Sequence, residues 1–326
     1  MVKSSYYQAG DAKQWIGRMD TEVDLRVHQR VSVVDLNENW NSKGVAAVLG
    51  FCSEEGVRRN KGRVGAADGP SALRKALSNF AWHFSKDFDL VDTGNVFCRD
   101  GNLEVAQDTL AEAVSHLLGL GAFPLVLGGG HETAWGSYLG LRRAFGTEAK
   151  IGIVNIDAHF DLRTPIEAGN SGTPFWQMAD WAKAHAANFG YLCLGINPTG
   201  NTRSLFDVAD ALGVEYLTTD QLSSAPHNSV PQQLRQFVQA HDYIYLSIDL
   251  DAFDAAFAPG VSAPASLGLY PLQVLPWLKY ITASAKLVLC DICELNPSFD
   301  IDQRTAKLGA SLGYRILQNL VSTRAI

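Results

Sequence analysis

"IGIVNIDAHFDLR", residues 151–163, carries a short apolar, β-branched run into three polar side chains at every second position. These are Asp157, His159 and Asp161, and Arg163 follows two residues later. A run of this length and composition reads as a strand buried on both faces. Seven further runs have the same character: "VAAVLGFC", "FDLVDTG", "FPLVLGG", "YLCLGI", "VEYL", "YIYLSID" and "KLVLCDICEL". Between several of them lie amphipathic stretches with apolar residues at three- and four-residue spacing, such as "NLEVAQDTLAEAVSHLLGLG". "GPSALRKALSNFAWHF" opens with Pro70 where a helix start tolerates proline, and "DQRTAKLGASLGYRILQNLVS" reads as a closing helix. Strand and helix in alternation predict an α/β protein with a mainly parallel sheet covered on both faces.

Composition narrows the function classes. The chain has 326 residues, 47% apolar and 19% charged, within the range of one large α/β domain. A formal net charge of −7 argues against a nucleic-acid surface. No apolar run approaches the roughly 18 residues of a membrane span. The N-terminal "MVKSSYYQAGDAKQW" has no hydrophobic signal core, so the expected location is the cytoplasm. The odd number of cysteines, Cys52, Cys98, Cys193, Cys290 and Cys293, lies mostly in strand-like runs and predicts structural thiols in a reducing compartment. "CDIC" has redox spacing but sits inside an apolar strand, whereas a redox pair opens a helix.

Ligands of open α/β sheets bind beyond the carboxyl ends of the strands. Three predicted strand ends carry unusual clusters: "PLVLGGGHE" ends in His131 and Glu132, "IGIVNIDAHFD" in Asp157, His159 and Asp161, and "YIYLSIDLD" in Asp249 and Asp251. In extended backbone the alternate side chains of each array project toward one side. GGGH lacks the GKS or GKT ending of a phosphate loop. Taken together, the clusters set two imidazoles and four aspartates at one sheet edge, with Glu132 beside them. Converging carboxylates repel, so the pattern calls for two divalent cations to balance them. Oxygen and imidazole ligands without thiolate favour manganese-like ions over structural zinc.

The segments "GGGHE", "NIDAHFD" and "SIDLDAFDAAFAPGVSAPASLG" resemble the three signatures of the ureohydrolase (arginase/agmatinase) family, with Ser247, Pro259, Gly260 and Gly268 also at the family's spacing. The resemblance covers most of the chain. It implies an arginase-like three-layer α/β/α fold with a mainly parallel, roughly eight-stranded sheet. Residues 1–326 would form one domain, with an N-terminal extension of about 35–40 residues packed on it. It further implies two manganese ions per chain and hydrolysis of a C–N bond by a hydroxide bridging them. His131, Asp157, Asp161 and Asp249 would hold one ion, and His159 and Asp251 the other, with Asp157 and Asp249 bridging. Glu294, in "CELNP", matches the glutamate that binds amidine or guanidinium nitrogens.

Two departures bear on the substrate. Arg163 stands where arginases carry an asparagine, and a guanidinium beside the site repels a cationic tail and welcomes a carboxylate. The family's shuttle-histidine segment reads "GNSGTPF" here, without histidine. "SGTPF", "WIGRMD" followed by "HQ", and "GVRRNKGRVGAADGP" resemble the formimidoylglutamase branch, whose substrate is a dicarboxylate. Arg163, Asn170, Ser171, Thr173, Asn60 and Arg63, with Arg58 and Arg59 nearby, are the expected substrate-binding positions. Asp161 is the expected proton carrier to the leaving amine. The alternatives are a urea-releasing arginase, agmatinase or guanidino-acid hydrolase, or a non-catalytic metal-binding descendant. Homo-oligomer formation is left open by the sequence.

Overall fold

A computed structural model describes residues 2, 5–21, 25–40, 45–85, 88–224, 226 and 228–323. Ten strands form one sheet: β1 (Tyr7–Gln8), β2 (Ser32–Val33), β3 (Ala46–Cys52), β4 (Leu90–Phe97), β5 (Phe123–Leu127), β6 (Ile151–Ile156), β7 (Gly190–Ile196), β8 (Glu215–Thr218), β9 (Tyr243–Asp249) and β10 (Leu287–Cys293). Their order is β1-β4-β3-β5-β10-β9-β6-β7-β8, with β2 pairing β4 off this path. All pairings are parallel except β1 with β4, which places Tyr7 opposite Val96. The eight longer strands are the eight apolar runs of the sequence. The two-residue strands carry no periodicity of their own; pairing with β4 defines them.

The helices are α1 (Glu55–Arg59), α2 (Gly69–Ser78), α3 (Leu103–Gly119), α4 (Thr133–Phe145), α5 (Pro174–Ala184), α6 (Arg203–Ala211), α7 (Thr219–Ser223), α8 (Gln232–Ala240), α9 (Pro271–Ala283) and α10 (Arg304–Thr323). Strand alternation sends successive side chains into two cores. Val154 and Ile156 of β6 and Ile244, Leu246 and Ile248 of β9 pack with residues of α2, α8, α9 and α10. Ile151, Ile153 and Tyr245 pack on the opposite face with residues of α3, α4, α5 and α6. Three layers result. No described helix is long and apolar enough to cross a membrane. All five cysteines are free, and Cys193, Cys290 and Cys293 are buried.

α2 stops at Ser78, although the helical pattern in the sequence runs on toward Phe84. Competing backbone pairing accounts for this. Val27 N–H donates to the Phe80 carbonyl at 2.9 Å, and Trp82 N–H to the Leu25 carbonyl at 2.9 Å. Another N-terminal tie is polar and buried: Trp15 Nε1 donates to Asp92 Oδ2 at 2.7 Å, beside the Arg74–Asp92 ion pair at 2.8 Å.

The order β5-β10-β9-β6 sets four adjacent strands at the middle of the sheet. After β5 the chain crosses to β6, runs outward through β7 and β8, and returns to place β9 and β10 in the gap. The carboxyl ends of these four strands, which carry all the polar clusters, are therefore neighbours.

Candidate metal centre and active site

β6 ends at Ile156 and β9 at Asp249, so the arrays beyond them are not extended strand. The expectation that the pleat alone aligns the alternating side chains is corrected here. Each array is folded by its own first aspartate. Asp157 Oδ1 accepts from the His159 N–H at 2.7 Å, and Asp249 Oδ1 accepts from the Asp251 N–H at 2.7 Å. These are Asx turns, in which a short carboxylate side chain satisfies a backbone donor two residues on. Asp161 adopts a positive φ of 49°, which turns it back toward the cluster.

The glycines before His131 serve close approach. A Cβ at Gly129 would fall 1.8 Å from the Ser53 carbonyl oxygen, and one at Gly128 2.6 Å from Cys293 Sγ. Neither residue has a positive φ. Packed this tightly, the loop delivers His131 to the carboxylates. Its Nδ1 lies 3.1 Å from Asp157 Oδ2, 3.0 Å from Asp161 Oδ2 and 3.1 Å from Asp249 Oδ2. His159 Nδ1 lies 3.1 Å from Asp251 Oδ2 and 3.7 Å from Asp157 Oδ1. Two ligand groups result: His131, Asp157, Asp161 and Asp249, and then Asp157, His159 and Asp251. Asp157 belongs to both. Asp249 groups with the first set alone.

The donor set fits divalent cations. Ligand atoms about 2.1 Å from an octahedral ion are about 3.0 Å apart along a cis edge, which is the spacing around His131 Nδ1. That nitrogen is buried with no hydrogen-bond partner, as is Asp251 Oδ1. Protein charge alone leaves the cluster frustrated. Burial pushes the Asp249 carboxyl well above its usual range, with Asp251 and Asp157 adding to the effect. Burial and the Asp157 charge raise Asp161 as well. Asp251 is the largest cause that pushes the His159 imidazole up to about 12. Cations in place of these protons would relieve the repulsion.

Glu294 begins the segment after β10 with a positive φ of 68°. Its Oε1 accepts from the His131 N–H at 2.8 Å. Burial, then Glu132 and Asp251, push its carboxyl up to about 8. Glu132 is itself buried, accepting from Ser53 Oγ at 2.8 Å and Gly56 N at 2.9 Å.

A cleft of about 100 Å³ opens over the cluster, reaching His159, Asp161, Asp249, Asp251 and Glu294, with Asn60, Arg163, Ser171 and Ser262 in its walls. Arg163 Nη1 donates to Asn60 Oδ1 at 2.8 Å, and Asn60 Nδ2 donates to Ser171 Oγ at 3.1 Å. Among the described residues Arg163 forms no ion pair. The other expected substrate-binding positions lie elsewhere. Arg63 donates from Nε to the Ser262 carbonyl at 2.9 Å and from Nη2 to the Val261 carbonyl, and it stacks 4.0 Å from the Phe299 ring centroid. Its guanidinium thus braces the cleft wall. Arg58 and Arg59 both pair with Glu55, and Arg59 also with Glu104. Asn170 and Thr173 fold their own turn: Asn170 Oδ1 accepts from Gly172 N at 2.9 Å, and Thr173 Oγ1 donates to the Asn170 carbonyl at 2.9 Å. Of that segment, Ser171 reaches the cleft.

Sequence reasoning passed over Asp291 and Ser262. The signal for Asp291 was present: an aspartate inside a strand buried on both faces needs partners supplied by its neighbours.

This fold and two-group centre define a class, and the match to known proteins agrees. The Arginase family model matches residues 45–318. The chain belongs to the arginase family. It is 44% identical over 315 residues to the formimidoylglutamase of Aeromonas hydrophila subsp. hydrophila, covering 94% of this chain and 98% of that one. It is 42% identical over 325 residues to the formimidoylglutamase of Lysinibacillus sphaericus, covering 98% and 100%. The crystal structure of Trypanosoma cruzi formiminoglutamase with Mn²⁺ aligns with a TM-score of 0.79 at 22% identity, over 92% of this chain and 99% of that one.

Proposed function

We propose that the chain hydrolyses the C–N bond of N-formimidoyl-L-glutamate, yielding L-glutamate and formamide, with two manganese ions per chain. The observation that carries the substrate assignment is Arg163, a cation without an ion-pair partner among the described residues, in the wall of the cleft that holds the carboxylate cluster. The names of the relatives at 42–44% identity support the same substrate. Hard oxygen and imidazole donors without thiolate favour manganese, and the Trypanosoma cruzi neighbour was crystallised with that ion.

His131, Asp157, Asp161 and Asp249 would hold one ion and Asp157, His159 and Asp251 the other. Bound divalent ions supply Lewis acidity and acidify water enough to make it a nucleophile at neutral pH. The residues of the chain do the rest. Glu294 pairs with the formimidoyl nitrogens and keeps the amidinium charged, which makes its carbon electrophilic. Arg163 takes a glutamate carboxylate in a charge-assisted fork. Asn60 orients the guanidinium, and Ser171 orients Asn60. Attack at the formimidoyl carbon gives a tetrahedral species. Asp161 passes the nucleophile's proton to the amine as the C–N bond breaks, so glutamate leaves neutral at nitrogen and formamide forms.

The deciding experiment is a product assay with manganese-loaded protein on formimidoylglutamate, arginine and agmatine. Formamide and glutamate from the first substrate are expected. Urea from arginine or agmatine as the main product would overturn the assignment.

A further inference from the structure

A buried polar chain holds the His131 imidazole from the side away from the carboxylates. His131 Nε2 lies 2.9 Å from Ser247 Oγ. Ser247 Oγ donates at 2.6 Å to Asp291 Oδ1, and the Tyr245 hydroxyl donates to Asp291 Oδ2. Ser247 and Asp291 stand opposite each other in the β9–β10 register. Tyr245, Ser247 and Asp291 are each 0% exposed. Among the described residues Asp291 has no ion-pair partner, and it takes no part in the chemistry above.

The direction of these hydrogen bonds has a consequence at the other ring nitrogen. Both Asp291 oxygens accept in this arrangement, one from Ser247 and one from Tyr245, so the Ser247 proton is committed to Asp291. Ser247 Oγ is then left as an acceptor and requires the imidazole proton on Nε2. A neutral imidazole protonated at Nε2 carries its lone pair on Nδ1. Nδ1 is the buried, unpartnered atom ringed by Asp157, Asp161 and Asp249. The chain therefore selects the one tautomer able to ligate and fixes the plane of the ring.

We propose that Asp291 and Ser247 are positioning residues for the cation bound at His131, setting its affinity through the tautomer and orientation of that imidazole. This rests on the two-ion reading of the centre. Partners of a ligating histidine typically change metal affinity by about 10–100-fold when removed.

The test is manganese titration of the full-length protein by competition with a chelator, followed by electron paramagnetic resonance of the loaded forms. Wild type should take up two ions with the signature of a coupled pair. Asp291→Asn and Ser247→Ala should each weaken one ion by about 10–100-fold. The coupled signal should give way to that of a single ion at limiting manganese, and excess manganese should restore activity. Ser247→Ala removes a single oxygen, so it keeps the question open should Asp291→Asn not fold. Variants that bind both ions with wild-type affinity, whatever their melting temperature, would overturn the proposal and leave the chain a role in folding alone. Wild type that takes up no second ion would overturn the underlying two-ion reading, a result visible before any variant is compared.

Discussion

Glu294 Oε1 accepts a hydrogen bond from the backbone N–H of His131 at 2.8 Å, joining the end of β10 to the loop after β5. One carboxyl group thus fixes the loop carrying a candidate metal ligand and, with cations at the neighbouring carboxylates to favour its ionised form, would present charge to the cleft. Glu294→Gln separates the two roles, because the amide oxygen can still accept from the His131 N–H while the charge is gone. We expect kcat/KM to fall by about 10²-fold or more, the typical effect of losing one preorganised electrostatic partner, with manganese content unchanged. Steady-state kinetics beside metal analysis makes the measurement. Unchanged kinetics would restrict Glu294 to holding the loop.

Asp249 touches the centre in two ways, through Oδ2 at 3.1 Å from His131 Nδ1 and through Oδ1 on the Asp251 N–H. Asp249→Ala should remove a ligand and release the turn that presents Asp251. Activity should be abolished, and bound manganese should drop by at least one ion per chain, with the far-ultraviolet circular dichroism spectrum retained. Near-normal turnover would refute the assignment of Asp249 as a ligand.

The sequence made some of this architecture readable and hid the rest, for identifiable reasons. The central strands, such as β6 and β9, declare themselves because a strand buried on both faces must be a short, nearly continuous apolar run. β1 and β2 are invisible because two residues define no period. The ligand candidates stand out because two imidazoles and four carboxylates at strand ends have few other uses. How they converge does not stand out. Asx turns at Asp157 and Asp249 and a positive φ at Asp161 replace the pleat assumed from spacing. Arg63 and Arg163 look alike as letters in the chain. Only the fold reveals that the first meets the carbonyls of Val261 and Ser262 and the second lines the cleft.

The N-terminal residues offer a stability test. Asp92 accepts from Trp15 Nε1 and pairs with Arg74, all in the interior. Arg74→Met would leave the Asp92 carboxylate buried without its cation. Breaking such a pair from one side typically costs about 3–5 kcal/mol, because the remaining charge stays desolvated. Urea denaturation should report a loss of that order in the metal-loaded protein. Arg74→Met with Asp92→Leu should be less damaging than the single change, since no unpaired charge then remains. A single variant that unfolds at the wild-type midpoint would mean the pair contributes little to holding these segments together.

Arg163 is the proposed reader of the substrate carboxylate, and its environment makes the test sharp. Its guanidinium is exposed, bonded to Asn60 Oδ1 at 2.8 Å, and free of any ion pair among the described residues. If it forms a fork with a substrate carboxylate, Arg163→Ala should cost about 2–5 kcal/mol in transition-state binding. Arg163→Lys should recover part of that, since an ammonium supplies charge without two parallel donors. Asn60→Ala should weaken the same step less, because it removes only the residue that orients the guanidinium. The loss must be confined to acidic substrates. The comparison is kcat/KM for formimidoylglutamate against that for a neutral formamidine, in wild type and in each variant, at constant manganese content. A large fall for the acidic substrate with little change for the neutral one is the expected outcome. Equal falls on both would mean that Arg163 supports the Asp161 loop and does not read the substrate's tail.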